Sequence, residues 1–280
     1  MNNERPESSL DSRTQSYEER RRKVGRFNMT SDVFFCKVLE DREACEEAIR
    51  ILLCDPGFTV KEVKAQYSIR NIENHSVVLD ILAEDMEGRL INIEMQVSDD
   101  GAHQKRVRYY QASIDMSYLE KGVPYQALPD IYMIFITEKD FLAHNRGIYR
   151  VGRVLECSGS ALYNGVHEIY ANLECRCGDE KIDELLHYMK NSDSGYKTDS
   201  FPNIVRKVRY LKEKKEGLES MCSILDEERK EGIKEGIEQG IKALILDNLE
   251  EGKSREQIIE KLSKRFLLSR EEAEKYYDSL

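Results

Sequence analysis

The sequence predicts an α/β fold with a helical C-terminal tail, on three observations. Two runs rich in β-branched and apolar residues, VVLDILAED and RLINIEMQV, flank the short turn Met86-Glu87-Gly88 and predict a β-hairpin. Residues 101–120 follow with apolar side chains at helical spacing, and 130–137 then contain the continuous apolar run IYMIFI. Such a run is typical of a strand that is covered on both faces. Helices and strands alternating in this way indicate an α/β domain.

The remaining elements follow from the same periodicities. Apolar spacing predicts one helix around Phe34–Leu39 and a second around Ala48–Leu53, which Asp55-Pro56-Gly57 ends. The shorter elements predicted are a strand at 60–67, strands near 148–155 and 167–173, a helix at 183–189, and a helix from Pro202 to about Leu225.

Composition divides the chain into three parts. Residues 1–28 are polar and lack periodicity, which predicts a disordered arm that ends in the basic cluster Arg20–Arg26. Residues 29–225 contain the α/β elements, and 226–280 form the tail. The pairs Ser254/Gln257 and Ser269/Glu272 have capping-box spacing and predict helices at 255–266 and 270–279.

The start of the tail repeats every four residues, in EGIKEGIEQGIK. This places Gly232, Gly236 and Gly240 on one helical stripe, with isoleucines beside it. Each glycine costs a helix about 1 kcal/mol relative to alanine, so an isolated helix should be weak here. Two interpretations remain open: a solvated linker helix, or a close helix contact that makes the chain a homodimer.

Charge and cysteine content narrow the classes of function. No run of eighteen apolar residues is present and the N-terminus has no apolar core, so we expect a cytoplasmic protein with no membrane partner. Seven unpaired cysteines suit a reducing compartment. The net charge of −10 is unfavourable for binding DNA, but Arg20–Arg26 and Lys105–Arg108 concentrate positive charge locally.

The hairpin places two carboxylates opposite each other. If Asp85 and Arg89 close the turn, Asp80 lies across from Glu94, with about 5 Å between the Cβ atoms. Alternation sends Glu94 and Gln96 to a polar face of the second strand. Like charges that face each other across a sheet repel. A divalent cation bound by oxygen ligands would compensate, and Mg²⁺ suits such ligands.

An aspartate, a hairpin and then Glu-x-Lys resemble the PD-(D/E)xK nuclease superfamily. The last position is Gln96 here, and this variant resembles the recombination-promoting nuclease (Rpn) family, also called PD-(D/E)xK nuclease family transposases. The resemblance extends roughly from Met29 to the 240s. It includes the segments SDVFF, LDILAEDMEGRLINIEMQ, KRVRYYQASID and KGVPYQALPDIYMIFIT.

This resemblance implies a restriction-endonuclease-like αβββαβ core and a metal site for Mg²⁺ or Mn²⁺. The implied ligands are Asp80, Glu94 and the backbone carbonyl of Met95. Gln96 departs from the superfamily lysine, which orients or deprotonates the attacking water; an amide still holds a water but is no base near pH 7.

Three further residues are candidates by resemblance. Arg106 and Tyr109 match the family pattern R-x-x-YY and share one face of a helix. Asp32 matches the opening acidic position, and it suits a helix N-terminus equally well.

Two functions follow as hypotheses. The first is a Mg²⁺-dependent DNA endonuclease, with a recombination or mobile-element context implied by the resemblance alone. The alternative is a catalytically weak or inactive module that keeps the nuclease fold and binds DNA or protein.

Overall fold

The structure is a computed structural model that describes residues 8–70, 75–97 and 103–279, with side chains described from Tyr17 onward. It divides into two compact units, Met1–Met221 and Cys222–Leu280. The helices and strands of the first unit are α1 (Ser8–Gly25), α2 (Asp32–Leu39), α3 (Arg42–Leu53), β1 (Val60–Ile69), β2 (Val77–Asp85), β3 (Leu90–Gln96), α4 (His103–Tyr118), β4 (Ile131–Thr137), β5 (Ile148–Val151), β6 (Val166–Asn172), α5 (Glu180–Asn191) and α6 (Pro202–Glu213).

The strands form one six-stranded mixed sheet in the order β1-β2-β3-β4-β6-β5. Strands β1, β2 and β3 are antiparallel, β4 runs parallel to both β3 and β6, and β5 is antiparallel to β6. This α/β architecture is the one that the sequence predicts, and it is consistent with a PD-(D/E)XK nuclease fold.

The hairpin closes through a three-residue turn as predicted. The Asp85 N–H donates to the Arg89 carbonyl at 3.0 Å, and Gly88 adopts a left-handed conformation with φ of +83°. Only glycine adopts this conformation without steric cost. The register of β2 and β3 therefore follows directly from the turn, and Ile81 pairs with Ile93.

Helices cover the central strands. Helix α4 packs on β1, β2 and β4, with Val107 and Ile114 buried in one cluster with Leu79, Met133 and Phe135. Helix α2 packs on β1 and β2. All but the last residue of β3 are buried, so the predicted polar face of this strand is buried as well.

Two sequence predictions need correction. Residues 1–28 are predicted to be a disordered arm, but 8–25 form helix α1, in which Val24 is buried and the Tyr17 hydroxyl donates to the Glu213 carbonyl at 2.6 Å. The segment lacks the apolar periodicity that would predict a helix, and α1 packs against α6. Residues 1–7 lie outside the described residues.

The second correction concerns the helix that is predicted from Pro202 to about Leu225. It is two helices, because α6 ends at Glu213 and α7 (Lys215–Glu250) begins after Lys214, which has an extended backbone. A Cβ at Gly217 would lie 2.2 Å from the Tyr210 carbonyl oxygen, so glycine is required for the close approach at this junction.

The second unit contains the rest of α7, α8 (Arg255–Phe266) and α9 (Arg270–Asp278). Both predicted capping boxes are present, at Ser254 and Ser269. Ile241 is buried against α8, whereas Ile233 and Ile237 are 53% and 45% exposed. None of the described helices combines the length and the apolar composition that crossing a membrane requires.

Candidate active site

The regular pairing of β2 with β3 ends at Asp80 and Glu94. Beyond the Ile81–Ile93 pair, the Asp80 N–H donates to Glu94 Oε1 at 3.2 Å. The Met95 N–H donates to Asp80 Oδ2 at 2.9 Å. Each carboxylate therefore accepts a backbone N–H where a regular ladder would offer a carbonyl. The predicted juxtaposition of the two acids is thus reinforced by two hydrogen bonds between their strands.

Burial makes this pair electrostatically costly. Glu94 is 1% exposed, and burial followed by the charge of Asp80 raises the pKa of Glu94 well above its ordinary value. Burial also raises the pKa of Asp80 to about 6, although the hydrogen bond from Met95 opposes this shift. A buried carboxylate binds a proton or a cation more readily than an exposed one. The site therefore favours binding of positive charge.

A buried amide supports Glu94. Asn92 is fully buried, and its Nδ2 donates to the Ile81 carbonyl at 3.1 Å and to Glu94 Oε1 at 2.7 Å. Among the described residues, Asn92 Oδ1 has no hydrogen-bond partner. A buried acceptor left unsatisfied costs about 1–3 kcal/mol, so this oxygen is suited to accept from a bound water.

Gln96 and Arg106 form a direct contact. The Arg106 guanidinium of α4 donates to Gln96 Oε1. The positive charge of Arg106 lowers the pKa of both Asp80 and Glu94, in opposition to burial. The Gln96 amide thus binds a cation from the neighbouring helix, at the position where the resemblance leads us to expect a lysine.

Asp32 also lies within electrostatic reach of Asp80. It is the first residue of α2, after the N-cap Ser31. Its negative charge contributes to the raised pKa of Asp80, and burial raises the pKa of Asp32 itself.

Tyr109 is not brought to the carboxylates. It is 38% exposed, and its hydroxyl donates to the His75 carbonyl at 2.7 Å, on the segment that leads into β2. This hydrogen bond ties α4 to the start of β2. Tyr109 lies one helical turn from Arg106, and its hydrogen bond holds α4, the helix that carries Arg106.

The donor set at this place fits a divalent cation. Two carboxylates and the peptide of Met95 converge, and the described hydrogen bonds use one oxygen of each carboxylate, Asp80 Oδ2 and Glu94 Oε1. Hard cations such as Mg²⁺ take one or two carboxylates and fill their remaining positions with water or phosphate. In the described part of the chain, no three His, Cys, Asp or Glu side chains are grouped so as to hold a metal by themselves.

Comparison with known proteins identifies one similar family. A family model described as PD-(D/E)XK nuclease family transposase matches residues 59–190, which include β1 to β6 and nearly all of α5. Residues 59–190 are therefore similar to that family. No curated protein and no solved structure gave a match. PD-(D/E)XK nucleases generally use divalent metals, and the family supports a role related to nuclease or transposase activity.

Two residues near the paired carboxylates are missing from the sequence-based candidates. The Asn92 amide holds Glu94, and the only signal in the sequence is a polar residue in an apolar strand, two positions before the acid. Gln66 lies on β1 beside Cys36, whose Sγ is 3.5 Å from the Asp80 carbonyl oxygen. No sequence pattern identifies Gln66, because its position depends on pairing between distant segments.

Proposed function

We propose that the first unit is a divalent-cation-dependent DNA endonuclease that hydrolyses phosphodiester bonds. The observation that supports this most directly is the joined pair Asp80 and Glu94, with raised pKa values, beside the guanidinium of Arg106. Opposed carboxylates in a buried position are costly unless they bind a cation, and the neighbouring guanidinium suits a phosphate.

Asp80, Glu94 and the carbonyl of Met95 would hold Mg²⁺ or Mn²⁺. When bound, such a cation polarises a phosphodiester and makes water more acidic. Asn92 fixes the orientation of Glu94, and Met95 N–H fixes that of Asp80. These two hydrogen bonds matter because a metal site depends on the orientation of its ligands.

Arg106 and Gln96 together supply the function of the superfamily lysine, with the positive charge on one residue and a neutral donor on the other. Gln96 Oε1 holds the guanidinium, which places a permanent positive charge near the carboxylates. Negative charge develops on the phosphoryl oxygens during hydrolysis, and a fixed cation stabilises it. The Gln96 side-chain amide nitrogen remains able to donate toward a water or a phosphate oxygen. Asp32 adds a third carboxylate at the edge of the site, and Tyr109 keeps α4 in position.

The test is cleavage of supercoiled plasmid by the purified chain with Mg²⁺, Mn²⁺ or EDTA. We expect nicked or linear product with either metal and none with EDTA. Asp80→Asn and Glu94→Gln should abolish cleavage, whereas Glu84→Gln, a change of an acid on the same strand that pairs with Lys61 at 2.6 Å, should preserve it. Cleavage by Asp80→Asn at the wild-type rate would refute the assignment of the site.

The alternative, an inactive nuclease-fold module, makes a different prediction in the same experiment. It expects DNA binding or protein binding without cleavage under any metal condition. The replacement of the superfamily lysine by Gln96 favours this alternative, and the retained carboxylate pair favours the nuclease. A gel-shift measurement beside the cleavage assay separates the two.

We further propose that the protein is a homodimer through α7 and acts in the cytoplasm in a recombination or mobile-element context. The exposed Ile233 and Ile237 and the open space beside Gly232 and Gly236 support a helix contact. The cysteines are all free, which suits a reducing compartment. The context rests on the family description.

A further inference from the structure

Gln66 interrupts β1 with a left-handed backbone. Its φ is +50° in the middle of a strand that extends from Val60 to Ile69. A non-glycine residue in this region is uncommon and strained, and such strain persists only where the surrounding structure enforces it. The interruption therefore needs a physical reason at this position.

The interruption lies directly beside Asp80. Gln66 and Asp80 are opposed between the Ala65–Ile81 and Tyr67–Leu79 pairs of β1 and β2. Leu79 and Leu82 belong to the same buried cluster, although residues three apart in a regular strand point to opposite faces. Strand β2 thus changes its alternation at Asp80, where β1 is broken by Gln66. The two irregularities are one feature, which turns Asp80 toward β3.

The side chain of Gln66 is exposed and reaches Cys36, whose Sγ lies 3.5 Å from the Asp80 carbonyl oxygen. Its Nε2 donates to Cys36 Sγ at 2.9 Å, and Cys36 is only 4% exposed. Sulfur is a weak acceptor, so a stronger acceptor that arrives at the site would readily capture this amide.

We propose that Gln66 is a substrate-binding residue whose amide donates to a phosphate oxygen of the DNA strand that is held at Asp80 and Glu94. This inference rests on the proposed function. Glutamine amides commonly donate to DNA phosphates. A neutral amide suits this contact, because an acid at the same place would repel the phosphate.

A purely structural reading of Gln66 makes the opposite prediction for glycine. If the left-handed backbone alone matters, Gln66→Gly should be harmless, since glycine adopts this conformation without strain. If the amide contacts substrate, the same variant should fold as well or better and bind DNA less tightly. Stability and function therefore respond in different directions at one residue.

The experiment measures thermal unfolding, DNA affinity by fluorescence anisotropy in EDTA and in Ca²⁺, and steady-state cleavage with Mg²⁺. For Gln66→Gly we expect an unchanged or higher melting temperature, with Kd and KM raised about tenfold and kcat within about twofold, as for one lost hydrogen bond to a charged group. Gln66→Asn keeps a shorter amide, and asparagine tolerates the left-handed backbone, so its Kd and KM should rise less than those of Gln66→Gly. The Kd and KM of Gln66→Glu should rise more. Ser68→Gly, on the same strand, is the matched control.

Several outcomes decide the inference. Wild-type Kd and KM in Gln66→Gly would overturn it and leave only the structural reading. If the wild type binds DNA but cuts none, the affinity measurements still decide the role of Gln66, and only the cleavage proposal fails. A wild type that binds no DNA overturns the inference directly, because no phosphate would then reach the amide.

Discussion

Removal of the charge of Asp80 should stabilise the metal-free protein near pH 7. Burial raises the pKa of Asp80 from its ordinary value of 3.8 to about 6. The folded protein therefore holds this proton more tightly than the unfolded chain, and the free energy of unfolding falls as the pH rises between about 4 and 6. With about 1.4 kcal/mol for each pKa unit, the ionised carboxylate costs about 3 kcal/mol at pH 7.

Asp80→Asn keeps an acceptor for the Met95 N–H and removes the charge. We expect it to raise the free energy of unfolding by up to about 3 kcal/mol at pH 7 and by almost nothing at pH 4. The chain has fifteen tyrosines and no tryptophan, so urea unfolding in EDTA is best followed by far-UV circular dichroism.

The control and the added metal sharpen the test. Glu84 lies on β2 with Asp80, and Glu84→Gln removes its ion pair with Lys61 of β1, so this variant should not raise stability at pH 7. Mg²⁺ at a hundred times its Kd should stabilise the wild type by about 3 kcal/mol and leave Asp80→Asn unchanged. Two results would refute the electrostatic argument. One is an Asp80→Asn protein that is less stable than the wild type at pH 7. The other is a gain in the free energy of unfolding that is as large at pH 4 as at pH 7.

Three further predictions follow from the same structure. Gln96→Lys should lower kcat at least about tenfold, because the new ammonium repels the Arg106 guanidinium that Gln96 now holds; wild-type activity in this variant would contradict that role. Asn92→Leu removes a hydrogen bond that lowers the pKa of Glu94, so the acidic limb of the pH–rate profile should move to higher pH; an unmoved limb would separate Asn92 from the chemistry. Glutamate at both Ile233 and Ile237 should convert a dimer into a monomer in sedimentation velocity, and a wild type that is already monomeric at micromolar concentration would end the dimer proposal.

Features set by local chemistry were predictable from the sequence. The Met86–Gly88 turn fixes the hairpin register, because one left-handed glycine permits one loop length. That register places Asp80 across from Glu94 without knowledge of any other strand. The capping boxes at Ser254 and Ser269 likewise depend on residues three apart, and both form.

The tertiary structure decided the features that depend on distant pairs. The sequence assigns Gln96 and Arg106 to separate elements, and only packing of α4 beside β3 joins them. The left-handed backbone at Gln66 arises where β1 lies beside Asp80 of β2, so no local sequence pattern predicts it.

Burial explains the rest of the difference between sequence and structure. Alternation predicts a polar face of β3, but the neighbouring elements bury Glu94 and Asn92 on that face. Burial changes the chemistry, since it raises the pKa of Glu94 and makes the hydrogen bond from Asn92 necessary. Residue types and spacing thus determined which acids face each other, and desolvation by distant parts of the chain determined how strongly they attract a cation.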